Sequence, residues 1–124
     1  KWLFNEYEKI LGDIDGIQLN TSTSSVDPTY WISVAILDEK YDLEKEGVMS
    51  YFAKKNIDLR PLFYPLSSMP PFQSFLPKAN MSKVNPISYR LSKYGVCLPN
   101  GNNLSAEDVK KVCNNFKEIT IGNK

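Results

Sequence analysis

Apolar side chains recur at helical spacing in two stretches of the first half of the chain. Residues 2–11 place five of them on one face of a helix: Trp2, Leu3, Tyr7, Ile10 and Leu11. A charged segment farther along ends in four more at the same spacing: Val48, Met49, Phe52 and Ala53. Lys54 and Lys55 follow where cations favour a helix C-terminus, and Asn56 suits a left-handed stop. The pattern therefore predicts two amphipathic helices, the second ending before Asn56.

The last helix has the strongest local signature. Ser105 and Asp108 have the spacing of a capping box, and Leu104 can pack against Val109 as a hydrophobic staple. The apolar positions that follow are spaced i, i+3, i+4 and i+7: Val109, Val112, Cys113 and Phe116. This predicts a helix that begins after Ser105 and turns Cys113 towards the core.

Extended segments alternate with these helices. Short β-rich runs predict strands at residues 17–19, 30–37, 57–63 and 96–98, with a polar loop at 20–29. The run YWISVAIL at 30–37 suits a buried central strand, whereas Pro61 indicates a strand that ends there or lies at the sheet edge. Between the last two strands, Asn85 and Pro86 suit a helix start and Gly95 its end. The predicted fold class is α+β, a small, mainly antiparallel sheet packed with helices.

Composition narrows the possible functions. A chain of 124 residues with 42% hydrophobic residues is expected to form a single domain, residues 1–124. The net charge of +1 and the lack of long apolar runs argue against nucleic acid and membrane partners, and favour a cytoplasmic protein. Two cysteines and no histidine predict buried thiols, no disulfide framework and no His-containing metal site.

Residues suited to catalysis are not evident. The acids lie among other charges, and the lysines considered as nucleophiles stand in solvated pairs: Lys54, Lys55, Lys110 and Lys111. No glycine-rich loop suits a phosphate group. We therefore expect no catalytic residue and no cofactor-binding residue in this chain.

Residues 57–77 are different, because prolines and aromatic residues cluster there around one arginine. One interpretation is a loop that packs Phe63 and Phe72 onto its own core. The functional interpretation is that prolines fix an extended loop which presents Arg60 and Tyr64 to an anionic, hydroxylated ligand such as a sugar phosphate.

Three segments in combination resemble a known family: YWISVAILDEKY, NIDLRPLFYPLSSMPPF and YGVCLPNGNNLSAEDVKKV. They are similar to the C-terminal domain of the DegT/DnrJ/EryC1/StrS sugar aminotransferases, and especially to perosamine synthetases. The resemblance runs from the first helix to Phe116.

The resemblance implies a pyridoxal 5'-phosphate (PLP) enzyme of the aspartate aminotransferase fold, which transfers an amino group from glutamate to a keto-sugar nucleotide. It implies that a large N-terminal domain holds the cofactor and the Schiff-base lysine, while this chain covers the site and helps to form a homodimer. The chain alone is then expected to be inactive and free of cofactor.

The resemblance also assigns site residues. It implies that Arg60 contacts phosphate or sugar oxygens of the nucleotide sugar and that Tyr64 stacks or hydrogen-bonds. Ser67 stands where family members often carry a histidine, and it is the third candidate for substrate binding. Trp31 is expected in the core, with a contact at a domain interface as the alternative.

Two other functions remain open at this point. The chain could be a free-standing, non-catalytic module that binds a sugar nucleotide or a protein, which the reading frame upstream of Lys1 would decide. Within the family, a dehydratase-type relative would use the same cofactor, and the residue that distinguishes it belongs to the large domain.

Overall fold

Four short strands form one antiparallel sheet. In the computed structural model, which describes residues 1–121, they are β1 (Ile17–Leu19), β2 (Val34–Leu37), β3 (Arg60–Pro61) and β4 (Gly95–Cys97). Their order is β1-β2-β4-β3, so β2 is central and β3 lies at an edge. The edge position tolerates Pro61, which has no N–H to donate to a neighbouring strand. The predicted α+β class and the edge strand are confirmed.

Helices are the second component of the fold. They are α1 (Trp2–Leu11), α2 (Lys45–Ala53), α3 (Pro70–Gln73), α4 (Met81–Val84), α5 (Pro86–Tyr94) and α6 (Ala106–Ile121), with 3-10 turns at Glu39–Tyr41 and Leu66–Ser68. The predicted capping box is present at α6, where the Ser105 N–H and hydroxyl both donate to Asp108 Oδ2 at 2.8 and 2.6 Å. None of the helices within residues 1–121 has the length and apolarity needed to cross a membrane.

The core lies between the sheet and helices α1, α2 and α6. Its largest buried rings include Tyr7, Phe52 and Phe116, and the ring centroids of Phe52 and Phe116 are 4.6 Å apart. Cys97 and Cys113 are both buried, as predicted. The periodic residues of the last helix therefore point inwards as their spacing requires.

The strand predicted at residues 30–37 is shorter than expected. Tyr30 has a φ of 54°, and regular pairing begins only at Val34. The Asn20 side chain occupies the place of a strand partner, because its amide nitrogen donates to the Ile32 carbonyl at 3.1 Å and its oxygen accepts from the Val34 N–H at 2.8 Å. Hydrogen bonds from the Asn20 side chain thus take the place of backbone pairing just before β2.

Two tryptophans are exposed, contrary to the prediction from sequence. Trp31 is 73% exposed and precedes the strand, so the expectation that it lies in the core is wrong. Trp2 is 53% exposed, and Phe4 is buried on the inner face of α1 instead. The helix was predicted with the correct bounds, but its buried face is centred on Phe4, Tyr7 and Leu11.

Two predicted helix ends are stabilised differently. Asn56 is left-handed with a φ of 57°, as predicted. Gly95 is extended, and glycine is needed there because a Cβ would lie 2.4 Å from the Leu91 carbonyl oxygen and 2.6 Å from the Leu62 side chain. The close approach of α5, β4 and the loop after β3, and not a left-handed turn, explains this glycine.

Candidate functional site

Arg60 lies in a groove at the edge of the sheet. The Arg60 groove, of about 510 Å³, is also lined by Trp31, Phe63 and Cys97. The arginine side chain is 77% exposed, and its guanidinium lies 2.9 Å from the Asp58 carboxylate, itself 74% exposed. Since exposed ion pairs of this kind contribute little to stability, the guanidinium is accessible to a ligand.

Tyr64 lies in a second cavity of about 510 Å³, the Tyr64 cavity. Its walls come mostly from α2, the loop after β3 and α5, and they include Lys45, Tyr64, Tyr89, Arg90, Ser92 and Lys93. Tyr64 is 52% exposed, and Lys45 Nζ lies 3.9 Å from its ring centroid, which is a cation–π contact. An aromatic ring, hydroxyl groups and cations therefore meet on one concave surface.

Ser67 lies in a third, smaller pocket of about 390 Å³, which includes Pro77 and Tyr89. The Ser67 hydroxyl donates to the Tyr89 hydroxyl at 3.3 Å, and the Asn85 amide donates to Ser67 Oγ at 3.5 Å. Both partners belong to the beginning of α5. These contacts attach the 3-10 turn after β3 to that helix.

The structure brings two of the three predicted site residues together. The Tyr64 cavity and the Ser67 pocket share Ser68 and Tyr89 in their walls, so they are neighbours. The Arg60 groove shares none of the residues described for those two cavities. Arg60 is therefore presented on a separate part of the surface.

Charges around the Tyr64 cavity are balanced. Its walls carry three carboxylates and three cations: Glu39, Glu44, Glu46, Lys45, Arg90 and Lys93. Glu44 and Lys93 form an ion pair of 2.9 Å, and hydrogen bonds to the Glu44 carboxylate and then to Tyr94 raise the pKa of Lys93. The cavity is polar without a strong net field.

Lys45 is the residue of this site that sequence reasoning missed. It is only 4% exposed, although it is the first residue of α2. Its amine donates to Ser92 Oγ at 3.3 Å and lies 4.0 Å from Glu46 Oε1. Spacing could have found it, because positions 45, 48 and 52 share one helical face with the buried Val48 and Phe52.

The interpretation of residues 57–77 as a loop packed on its own core is wrong for its aromatic residues. Phe63 is 63% exposed and Phe72 is 42% exposed. Phe63 stacks on Trp31 instead, with ring centroids 6.3 Å apart. The loop and the residues before β2 thus form an exposed aromatic pair beside the Arg60 groove.

The residues around the Tyr64 cavity do not fit PLP, which the resemblance places in a large N-terminal domain. A PLP site requires a lysine amine free to form a Schiff base, donors for a phosphate and a partner for the pyridine nitrogen. The Lys45 amine is covered by the Tyr64 ring and hydrogen-bonded to Ser92, so it is not free to form a Schiff base. Lys45 is therefore not placed to hold PLP.

Comparison of the sequence with known proteins shows similarity to GDP-perosamine synthases. The chain is 31% identical over 113 residues to a GDP-perosamine synthase of Escherichia coli O157:H7, covering 91% of this chain and 28% of that protein. A GDP-perosamine synthase of Vibrio cholerae is 28% identical over 101 residues, covering 82% of this chain and 26% of that protein. The chain thus spans only about a quarter of the length of these relatives.

Solved structures confirm the fold. A structure of DesI with its TDP-sugar product has a TM-score of 0.81 at 19% identity, covering 98% of this chain and 31% of that one. Spr1654 of Streptococcus pneumoniae in its PMP form has a TM-score of 0.79 at 17% identity, covering 98% of this chain and 30% of that one.

The sequence model of the DegT/DnrJ/EryC1/StrS aminotransferase family matches residues 2–117, which is nearly the whole chain. The three sequence segments, the fold and these relatives agree. The chain belongs to the DegT/DnrJ/EryC1/StrS aminotransferase family.

Proposed function

We propose that this chain is the C-terminal domain of a PLP-dependent sugar-nucleotide aminotransferase that transfers the amino group of glutamate to a keto-sugar nucleotide. The observation that carries the proposal is the family match over residues 2–117. The names of the relatives, two of them GDP-perosamine synthases, favour a nucleotide sugar as the substrate class. The small share of those relatives that the chain covers supports its role as one domain of a longer enzyme.

The chain's role in that enzyme is to contact the substrate and not to carry out the chemistry. PLP, when bound by the rest of the enzyme, supplies the electron sink for amino transfer. The residues of this chain provide an aromatic ring, hydroxyl groups and guanidinium groups on its concave surfaces. The proposed partners are its own N-terminal large domain, a second subunit in a homodimer and the nucleotide sugar, and the proposed location is the cytoplasm.

Arg60, Tyr64 and Ser67 are proposed to contact different parts of the substrate. A nucleotide sugar is an elongated ligand with a base, a diphosphate and a sugar. Tyr64 and Ser67 lie in adjacent cavities, and Arg60 lies in the separate groove. An exposed guanidinium paired with an exposed carboxylate can exchange that partner for a diphosphate oxygen.

The test compares two proteins from the same gene: the natural polypeptide that contains this chain, and the 124-residue chain alone. Each is incubated with PLP, ¹⁵N-glutamate and a panel of GDP- and TDP-linked keto sugars, and the nucleotide sugars are analysed by mass spectrometry. We expect the natural polypeptide to incorporate ¹⁵N and the chain alone to incorporate none. Amino transfer by the chain alone would contradict the domain assignment, and no transfer by either protein would overturn the aminotransferase proposal.

A second arm of the experiment tests Arg60 in the natural polypeptide. Arg60→Ala is expected to weaken nucleotide-sugar binding by roughly tenfold, since a charge-assisted hydrogen bond to phosphate is lost. Lys54→Ala serves as the control, because Lys54 is another exposed cation, at the end of α2 and outside the described cavities. Unchanged affinity in Arg60→Ala would remove Arg60 from the site.

A further inference from the structure

The buried amine of Lys45 joins three elements at one point. Lys45 begins α2, Tyr64 lies in the loop after β3, and Ser92 lies in α5. The amine lies 3.9 Å from the centroid of the Tyr64 ring and 3.3 Å from Ser92 Oγ, with Glu46 Oε1 at 4.0 Å.

Burial makes this contact more informative than a surface contact. Lysine is rarely buried without partners, because desolvation of an ammonium group is costly. Lys45 is 4% exposed and Ser92 is 5% exposed, whereas Tyr64 is 52% exposed. The cation is therefore fixed in the protein while much of the tyrosine remains open to the cavity that it lines.

We propose that Lys45 is a positioning residue, whose ammonium group holds the Tyr64 ring in a fixed orientation on the wall of the Tyr64 cavity for contact with the nucleotide sugar. This deepens the proposed function and rests on it for the identity of the ligand. The contact is stronger than an exposed cation–π pair because the ammonium is removed from water. The Ser67–Tyr89 hydrogen bond attaches the same loop to α5 at a second point.

Lys45→Met tests the charge, because methionine fills a similar volume without the cation. Lys45→Arg keeps a cation that can lie over the ring, and Lys54→Met is a matched substitution at an exposed position at the other end of the same helix. The first measurement uses the 124-residue chain. Nuclear Overhauser contacts between the Lys45 side chain and the Tyr64 ring, and the relaxation of the ring carbons, report the orientation without any need for activity.

We expect the wild-type chain, Lys45→Arg and Lys54→Met to show an ordered Tyr64 ring, and Lys45→Met to show a mobile one. In the natural polypeptide, Lys45→Met is expected to raise the KM for the keto-sugar nucleotide about tenfold, with kcat and the KM for glutamate nearly unchanged and with rescue by Lys45→Arg. If Lys45 only stabilised the fold, Lys45→Met would lower the fraction of folded, active enzyme and hence kcat.

Failure of this proposal can be distinguished from failure of the proposed function. An equally ordered ring in Lys45→Met, or an unchanged KM for the nucleotide sugar, would overturn the role of Lys45 while leaving aminotransfer intact. A wild-type polypeptide without aminotransfer would overturn the proposed function and, with it, the substrate role assigned to Lys45. An ordered ring that becomes mobile in Lys45→Met would still support the orienting contact.

Discussion

At the scale of single residues, the Cys113 thiol gives stability a predictable pH dependence. The thiol is fully buried, and burial raises its pKa to about 12 from an ordinary value of 9.0. The thiol contributes its full stabilisation of the folded chain below pH 9, where it is protonated in both the folded and the unfolded chain. Between about pH 9 and 12 the unfolded chain binds fewer protons, so we expect the free energy of unfolding to fall by about 1.4 kcal/mol per pH unit from this group.

Urea unfolding of the wild type and of Cys113→Ala over this pH range measures the effect. Cys113→Ala should be less stable below about pH 9, because it leaves a small cavity, and its pH slope above pH 9 should be shallower by up to one proton. Tyr7 will maintain part of the slope, since burial also raises its pKa. Equal slopes in the two proteins would show that Cys113 does not titrate as described.

Prediction from sequence succeeds for residues whose position is set by the helix that carries them. Cys113 and Phe116 are buried because helical spacing puts them on the same face as Val109 and Val112. Trp31 could not be placed in this way, because its exposure depends on where β2 begins and on what covers the surface beside it. The distant Asn20 side chain determines that beginning, and local sequence does not encode its contact.

At the scale of elements, the capping box should contribute measurably to the stability of α6. Ser105→Ala removes the hydroxyl that accepts from the Asp108 N–H at 3.2 Å and donates to the Asp108 carboxylate. We expect a loss of about 1 kcal/mol in the free energy of unfolding, measured by urea titration near neutral pH.

Lys110→Ala is the control for this substitution, because Lys110 is exposed on the same helix beyond the cap and alanine is a good helix former. It should change stability by no more than about 0.5 kcal/mol. A Ser105→Ala protein as stable as Lys110→Ala would show that the cap contributes little. Hydrogen bonds to Ser105 lower the pKa of Asp108, so the contribution of the cap should decline when acid protonates that carboxylate.

The elements that sequence predicted well are those with caps or a long apolar period. Both the bounds of α1 and the start of α6 follow from local signals. Helices α3 and α4 have four residues each, too few for a periodic pattern, and they were not predicted. The loop that carries Tyr64 and Ser67 leads into these short helices, and it was identified from sequence while the separation of Arg60 from Tyr64 was not.

At the scale of the whole molecule, the two faces of the sheet differ in how they are covered. Ala35 and Val96 face each other across β2 and β4 and point into the core. Strand geometry places Arg60 and Cys97 on the opposite face, because residues alternate along each strand and these two are directly paired. Near this second face lie the exposed rings of Trp31 and Phe63.

The same substitution at two phenylalanines measures this difference in coverage. Phe116 is fully buried against Phe52, so Phe116→Ala should cost about 3–5 kcal/mol of unfolding free energy. Phe63 is 63% exposed and mainly stacks on Trp31, so Phe63→Ala should cost at most about 1.5 kcal/mol in the 124-residue chain. Urea unfolding of both variants against the wild type gives the comparison, and similar costs would contradict an open second face. If the aromatic pair is covered in a longer aminotransferase, Phe63→Ala should be more costly there than in the chain alone, because contacts with the covering domain are then lost as well.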